Sequence, residues 1–393
     1  MRKINKVSIR NLKILRNIDL KLSNLTLITG INSVGKSTFI QSLLLLKQNQ
    51  EMLTRVNNYK FMQQSINKKD NLSQYMQEIF EKSKKEPLSL NGNYTDLGDI
   101  KDVLSELAIY NENITIELEI EDLIYSVTCN SRDLSINIES SLPMESIINL
   151  FSENFQYINT DRIQPQNTYL LSEVNIRKNL IGSHGEYTAH YLDENRHKKL
   201  NISKLRHKDS ETVQLLENVS LWLNEISNGV EVLVKKYPSI QKVGLSYKYT
   251  YGENTTNELK PFNIGFGVTY VLPIIVAILK AKKDDLLIIE NPESHLHPAG
   301  QSKVAELCAI ASANGVQIIV ETHSDHFLNG IRVATKKGLL TPKQSKVYYF
   351  RKEKDELETK IDEINIDKKG GIDSYPKGFF DQFDEDLDKL ISW

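Results

Sequence analysis

The chain of 393 residues is 40% apolar and 25% charged, so it can bury a sizeable core in two or three compact units or in one large domain with an insertion. Its formal net charge of −2 at pH 7 provides no overall attraction to nucleic acid or to an anionic membrane. The two cysteines, Cys129 and Cys308, stand in no metal-binding spacing and exclude a disulfide framework, which indicates a reduced, cytoplasmic protein.

Short alternating segments at residues 7–9 and 18–22 predict strands that lead into the edge of the same sheet as an apolar strand predicted at residues 25–29, the strand before the phosphate loop. The next residues, 30–38, read GINSVGKST and match the phosphate-loop pattern G-x-x-x-x-G-K-S/T before an amphipathic helix. Glycines let backbone N–H groups approach phosphate oxygens, and the helix adds its positive end. We therefore expect a bound nucleoside triphosphate.

In that loop Lys36 is expected to reach the β- and γ-phosphates, and Ser37 to bind Mg²⁺. The expected nucleotide contacts here are Gly30, Asn32, Ser33, Gly35, Lys36, Ser37 and Thr38.

Polar, helix-favouring sequence at residues 48–85 is followed by alternating segments at 114–120 and 123–129, which predict an antiparallel patch. Within the polar stretch, residues 67–70 match the guanine-selecting pattern N-K-x-D, but they stand too early in the chain for that role.

Residues 143–261 are predicted to form an inserted mixed lobe with an amphipathic helix near 213–226. Its basic run, residues 196–208, is a candidate nucleic-acid patch, although a solvated face is favoured.

A second glycine-rich segment, residues 263–269, directly precedes an apolar helix at 270–279, which is only about half of the ~20 residues that a membrane helix needs. Gly265 and Gly267 would let the backbone approach a phosphate at the start of that helix. Since the first loop already fills this role, we expect a two-fold dimer in which this segment closes the site of the other subunit. The plainer alternative is a glycine turn that caps a core helix.

Apolar segments at 286–289 and 316–320, joined by a helical stretch at 300–313, predict a β-α-β unit of a parallel sheet. Glu290 ends the first strand and is expected to hold Mg²⁺ through water. Glu293 is either the group that polarises the attacking water or an N-terminal helix cap, and the sequence favours neither. His323 follows the second strand and is expected to donate to the γ-phosphate; a metal site with His295, His297 and His326 is the alternative.

The tail adds a strand at 347–350 and an acidic cluster at 384–388, which is expected to be a solvated helix and not a metal-binding nuclease motif. The tail is too short for a fused nuclease domain, so we expect any nuclease activity in a partner.

The order of phosphate loop, glycine-rich segment, acid strand and strand-end histidine resembles the ABC-type ATPase heads of the RecF, SMC and OLD kind, and residues 7–15 are similar to their first strand and turn. Residues 90–98, 159–165, 181–187, 290–298, 321–326 and 375–380 resemble a bacterial subfamily of AAA/ABC ATPases that ends in a small uncharacterised domain. The resemblance implies an α/β P-loop NTPase head: a mostly parallel sheet flanked by helices, an antiparallel patch and an inserted helical or mixed lobe. The four parts are expected at residues 1–142, 143–261, 262–345 and 346–393.

The resemblance also implies ATP and Mg²⁺ as cofactors, and a sandwich homodimer in which Asn263, Gly265 and Gly267 act across the interface. The usual Asp-Glu pair is Glu290-Asn291 here, and a neutral Asn cannot act as a general base, so hydrolysis is expected to be slow or to rely on Glu293. The glutamine that such heads carry has no clear counterpart; Asn91 and Asn93 are candidates.

Two functions follow from the resemblance. The first is an ATP-driven switch that controls a partner effector, a nuclease or toxin, in antiphage defence. The alternative is a DNA-maintenance head that clamps duplex DNA, for which affinity should fall with salt. A transporter subunit is disfavoured because the distance from Gly30 to Asn263 leaves room for a large insertion that transporter subunits lack.

Overall fold

The computed structural model describes residues 1–65, 87–108, 112–143, 146–227 and 229–391. The chain forms two compact units. The first unit comprises Met1–Leu22, Ile31–Ser152 and Phe350–Ile361, and the second comprises Ser23–Gly30, Glu153–Tyr349 and Asp362–Trp393. The four-part division expected from the sequence stays a prediction. The N-K-x-D segment at 67–70 lies outside the described residues.

The elements are numbered in chain order. The strands are β1 (Lys6–Leu12), β2 (Leu15–Lys21), β3 (Leu25–Gly30), β4 (Ile114–Ile120), β5 (Leu123–Cys129), β6 (Ile136–Ser140), β7 (Gln156–Ile158), β8 (Thr168–Leu170), β9 (Val230–Tyr237), β10 (Lys242–Tyr251), β11 (Asn254–Thr255), β12 (Leu286–Glu290), β13 (Gln317–Glu321), β14 (Ser345–Lys352) and β15 (Thr359–Ile364). The helices are α1 (Lys36–Gln48), α2 (Gln50–Ser65), α3 (Ile100–Val103), α4 (Glu173–Arg177), α5 (Thr188–Asn195), α6 (Leu215–Ser227), α7 (Phe266–Lys280), α8 (Pro298–Ala313), α9 (Asp325–Lys336) and α10 (Gln382–Ile391).

The first unit contains an antiparallel sheet in the order β2-β1-β4-β5-β6. Alternation of buried and half-buried residues along β4 shows why it forms, since one face of the strand packs and the other is wetter. The predicted antiparallel patch is confirmed. The prediction that the first two strands lead into the sheet of the phosphate loop is wrong, because β1 pairs with β2 and, about a hundred residues on, with β4. Alternation identifies a half-buried strand but not its partner.

Strands β3, β13, β12 and β7 of the second unit belong to a sheet with the order β15-β14-β3-β13-β12-β7. Strands β3, β13, β12 and β7 are mutually parallel, and β12 and β13 are buried along their whole length. This explains their continuous apolar sequences, and α8 between them confirms the predicted β-α-β unit. Because the four strands are parallel, their carboxyl ends lie at the same edge of the sheet.

The remainder of the second unit covers this sheet and carries a smaller one. Helix α7 is apolar on all sides and nearly fully buried, as a core helix should be. The smaller sheet has the order β11-β10-β8, with β9 also paired to β10. Helix α6 packs beside it and buries Trp222, whose indole N–H donates to the Leu205 carbonyl at 2.9 Å.

The charged segments singled out in the sequence differ in exposure, and the nucleic-acid role of the basic run stays a prediction. In the basic run, His207 is buried and lies 2.9 Å from a Glu225 carboxylate oxygen, and Arg196 pairs with Asp193. Residues 385–388 of the acidic cluster are exposed on α10, so the predicted solvated helix is confirmed there. Within the described ranges, every helix is too short or too polar to cross a bilayer.

Candidate nucleotide-binding site

The phosphate loop begins at Gly30, the last residue of β3, and continues into α1 of the first unit. Gly30, Ser33 and Gly35 have φ angles of 144°, 61° and 94°, a run of left-handed positions that curls the backbone. A Cβ at Gly35 would lie 2.5 Å from Leu15 Cδ2 and would be strained at this φ, which favours glycine here. Gly35 is also the N-cap of α1 and supplies no side-chain acceptor, which leaves the helix start suited to an anion.

The side chains of the loop differ in exposure. Lys36 is buried, and its ammonium donates to the Ile31 carbonyl at 2.6 Å, whereas Ser37 and Asn32 are exposed. The buried hydroxyl of Thr359 on β15 donates to the Val34 carbonyl at 2.9 Å. Thr359 was missed in the sequence because it stands 325 residues after the loop that it supports.

A cavity of about 470 Å³ lies in the first unit next to the loop. Ile14, which lines it, also packs against Gly35. Lys13, on the same wall, donates to the Gln41 amide oxygen at 3.1 Å, and burial lowers the pKa of its ammonium. The lining is mixed: Lys13, Ile14, Lys101, Asp102, Leu104, Ser105, Glu106, Leu107 and Leu357.

In the second unit, Glu290 ends β12 with its side chain almost fully buried. Its carboxylate accepts hydrogen bonds from the Tyr157 hydroxyl at 3.0 Å and the Thr160 hydroxyl at 3.1 Å. Burial raises the pKa of Glu290, and these two hydrogen bonds act in the opposite direction. A carboxylate here and a serine hydroxyl at position 37 are the hard oxygen donors that Mg²⁺ prefers, so the residue types fit the ion.

Glu293 joins two loops of the second unit. One carboxylate oxygen accepts from the Thr322 hydroxyl at 2.6 Å, and the other accepts from the backbone N–H of His323 at 2.7 Å. The interpretation of Glu293 as a helix cap is wrong, because the N-cap of α8 is His297, whose ring nitrogen accepts from the Ala299 N–H. The imidazole of His323 is itself exposed, as a phosphate contact requires.

Arg162 was not found from the sequence and is central to the structure of this edge. It follows β7 and is almost completely buried, with its guanidinium directed at the turn after β12. It donates to the carbonyls of Asn159, Glu290 and Asn291 at 2.9, 2.8 and 2.7 Å. Burial lowers the pKa of Arg162 to about 10, which still leaves it charged at neutral pH. The available signal was the polar run that directly follows the short strand β7.

The two glycines of the second segment have different surroundings. Gly265 is the N-cap of α7, as the capping alternative expected, and has nothing within 4 Å of where a Cβ would be. A Cβ on Gly267 would lie 2.3 Å from the His295 carbonyl oxygen. Gly267 is therefore required by packing against the loop after β12, and only Gly265 has an open face. Asn263 is exposed just before them.

An aromatic cluster fixes the start of α7 on that loop. The ring of Tyr270 lies 5.1 Å from Phe266 and 4.9 Å from His295, measured between centroids. Its hydroxyl accepts from the Gln164 amide at 2.8 Å, and the Arg162 guanidinium carbon lies 5.5 Å from the ring centroid.

Of the two candidates for the missing glutamine, Asn91 is engaged within its own loop, and a nucleotide contact by Asn93 stays a prediction. The Asn91 amide oxygen accepts from the backbone N–H groups of Leu97 and Gly98 and so closes its own loop. Gln48 was not considered; its amide oxygen accepts from the N–H groups of Tyr94 and Thr95 and holds the same loop against α1.

The histidine metal site finds no support, because the metal-type cluster found among the described residues is Glu173, His190 and Glu194. His190 Nδ1 accepts from the Ser172 N–H at 3.1 Å, so the neutral ring carries its proton on Nε2, the atom that faces the two carboxylates. Lys236 already pairs with Glu194. This cluster is an ion-pair network.

The comparisons with known proteins agree with this geometry. Residues 25–329 match the family model described as an AAA domain, putative AbiEii toxin, type IV TA system. The chain belongs to this AAA-domain family of ATPases. Residues 340–390 match a second model, a protein of unknown function designated DUF3696. The resemblance to a bacterial subfamily with a small C-terminal domain is thereby confirmed.

Among curated proteins, the chain is 25% identical over 366 residues to the endonuclease GajA of Bacillus cereus (strain HuB5-5). The match covers 77% of this chain and 52% of GajA, so the chain spans about half the length of that relative.

Solved SMC heads share the fold. An SmcHead bound to the C-winged helix domain of ScpA has a TM-score of 0.53 and 12% identity, covering 93% of this chain and 98% of that one. An Smc head with an extended coiled coil, bound to the C-terminal domain of ScpA and derived from Pyrococcus furiosus, has a TM-score of 0.52 and 13% identity, covering 99% and 100%. The predicted α/β head of the P-loop, ABC type is confirmed.

The different surroundings of the two glycines predict opposite effects of alanine. Gly267→Ala should destabilise the chain by ~1–3 kcal/mol, because the new Cβ overlaps a backbone carbonyl. Gly265→Ala, the matched control, should cost less than about 1 kcal/mol. Urea unfolding of both variants measures this. Stabilisation by Gly267→Ala, as helix propensity alone would give, would contradict the close contact.

Proposed function

We propose that this chain binds and slowly hydrolyses ATP with Mg²⁺, forms a sandwich dimer around the nucleotide, and acts as a switch on a partner effector. The observation that carries the proposal is the phosphate loop, with three left-handed positions and an uncapped helix start. The loop continues directly from β3, which ends beside β13 in the sheet that also carries Glu290. Membership in an AAA-domain ATPase family supports it.

Each residue of the site has a defined task in this proposal. Lys36 exchanges its bond to the Ile31 carbonyl for phosphate oxygens, and the exposed Ser37 hydroxyl and the Glu290 carboxylate hold the ion. When bound, Mg²⁺ neutralises charge that develops on the phosphates. His323 donates to the γ-phosphate from a loop that Glu293 fixes through its backbone N–H. Gly30, Asn32, Ser33, Gly35 and Thr38 complete the phosphate contacts through the loop backbone.

The cavity beside the phosphate loop is proposed to accept the nucleoside. Ile14 and Leu104 offer apolar surface to a base, and Lys13 and Asp102 offer hydrogen-bonding groups. A volume of about 470 Å³ is in the range of small-molecule pockets.

A second copy of the chain is the proposed neighbour of Gly265. The open face of this residue, the exposed Asn263 and the free start of α7 suit a phosphate that another subunit presents. Phe262 and Phe266, which flank the glycine, are 62% and 41% exposed and supply apolar surface for such an interface. Gly267 contributes through the packing of α7 rather than through direct approach to the phosphate.

The output of the switch is proposed to be a nuclease or toxin partner in antiphage defence. The similarity to an endonuclease over about half of that relative's length supports the link of such an ATPase to nucleic-acid cleavage. The cytoplasm is the proposed location.

Gly265→Arg tests the dimer. The substitution fills open space, so the variant should fold and bind ATP with wild-type affinity, yet an arginine on this face should block a second copy. Analytical ultracentrifugation in Mg²⁺-ATP should show dimers of the wild-type chain and monomers of the variant. Dimers of the variant would overturn the role of Gly265 across the interface.

Glu293→Gln tests the remaining acid, with Thr322→Val as the matched control. If Glu293 polarises the attacking water, Glu293→Gln should lower ATP turnover by ~10²-fold at unchanged ATP affinity. Thr322→Val, which removes one hydrogen bond to the carboxylate, should lower turnover far less. Equal, small losses in both variants would assign Glu293 to holding the His323 loop alone.

Capture of the tagged chain from its native cell in Mg²⁺-ATP tests the switch, with Lys36→Ala as the nucleotide-free control. We expect a stoichiometric protein companion with the wild-type chain and its loss with Lys36→Ala, since the variant lacks the phosphate contact. Recovery of DNA without a protein companion, with salt-sensitive affinity, would instead favour the duplex clamp.

A further inference from the structure

The buried arginine at position 162 is bound in an unusual way. Within the described parts of the chain, its guanidinium enters no ion pair, although a buried charge normally requires one; Glu293 and Glu290 favour its charged form from a greater distance. Its terminal nitrogens bind backbone carbonyls instead, and Nε has no hydrogen-bond partner. Because the buried guanidinium donates to the carbonyls of one turn, it fixes the orientation of that turn.

The turn in question directly follows the acid strand. Arg162 binds the carbonyls of Glu290 and Asn291, and Asn291 has a left-handed φ of 44°. The Asn291 N–H donates to the Glu321 carbonyl at 2.8 Å, and its carbonyl also accepts from the Ser294 N–H at 3.1 Å. The backbone that carries the Glu290 carboxylate is therefore held from several sides, with Arg162 as its charged contact.

The other face of the guanidinium meets helix α7. The ring of Tyr270, in the first turns of α7, packs against the Arg162 guanidinium. It also contacts His295 in the loop after β12. The segment that carries Arg162 is itself anchored, because the N–H groups of Asn159 and Ile163 donate to the carbonyls of Ser183 and His184. The start of α7 is thus connected to the acid turn by the contacts of Tyr270 and Arg162.

We propose that Arg162 is a positioning residue that couples the start of α7 to the Glu290–Asn291 turn, so that a ligand bound at Gly265 sets the direction of the Glu290 carboxylate. This inference rests on the proposed function of the same edge. It makes Tyr270 and Arg162 the means by which engagement of a second copy at the start of α7 prepares the acid turn of the same chain.

Three variants separate this coupling from simple packing. Tyr270→Leu removes the ring under the guanidinium and keeps apolar bulk in the core. Tyr270→Phe keeps the ring and loses only the hydroxyl that Gln164 contacts. Arg162→Lys keeps the charge but loses the planar fork that binds two carbonyls at once.

Hydrogen exchange of the nucleotide-free chain tests the link itself, independently of any activity. In Tyr270→Leu and Arg162→Lys, the amides of Asn291, Ser294 and Leu296 should exchange roughly tenfold faster than in the wild-type chain, while β4 and β5 of the first unit stay unchanged. Tyr270→Phe should match the wild type. Unchanged exchange in the turn of both folded variants would overturn the proposal, as would faster exchange everywhere, which would indicate lost stability.

Turnover and dimer formation then test the coupling. Tyr270→Leu and Arg162→Lys should form ATP-dependent dimers with wild-type ATP affinity, while kcat falls by roughly tenfold or more at constant KM. The double variant should lose no more turnover than the more impaired of the two single variants, because both act through one connection. Losses that multiply in the double variant, or wild-type turnover in either single variant, would overturn the coupling.

A wild-type chain that neither dimerises nor hydrolyses ATP would refute the proposed function, and the exchange result would still decide whether Arg162 and Tyr270 hold the turn.

Discussion

The pairing of four parallel strands is the constraint on which the second unit depends. Residues Leu286–Glu290 of β12 pair with β13 along their whole length, and the short β7 pairs with the other side of β12. This register brings the loops after β7, β12 and β13 to one edge, where Thr160 bonds to Glu290 and the His323 N–H bonds to Glu293 across large sequence distances. Since both sides of the sheet are covered, the strands are continuously apolar and the chemistry is confined to their ends.

At that edge each charged group is held by polar groups suited to its protonation state. Burial raises the pKa of Tyr157, so its hydroxyl keeps its proton and donates to Glu290. The Thr322 hydroxyl likewise donates to Glu293. Arg162 donates its hydrogen bonds to carbonyl oxygens, and Glu293 and Glu290 favour its charge without bonding to it, so their oxygens remain available to other donors and cations. A neutral Asn291 fits this plan, because its backbone has a left-handed φ and its side-chain oxygen accepts from the Thr160 hydroxyl at 2.7 Å.

Much of this was accessible from the sequence, and the misses have a common cause. Alternation located β4 and β5 to the residue, and continuous apolar runs located β12 and β13, because both patterns report local burial. The partner of β1, the support of the phosphate loop by Thr359 and the contacts of Arg162 depend on residues about 100 to 325 positions away, which no local pattern encodes. The wrong cap at Glu293 had a local signal, since Pro298 is suited to the first position of a helix and places the cap at His297.

The hydrogen bond from Thr359 to the Val34 carbonyl has a consequence for the order in which the chain acquires its shape. The loop is made early in synthesis, but the hydroxyl that supports it emerges 325 residues later. At roughly 5–20 residues per second, the loop waits about 20 to 60 seconds on the ribosome for this contact. Strand β3 waits nearly as long for β13. A nascent or truncated chain therefore carries the glycine-rich motif without the support that fixes its conformation.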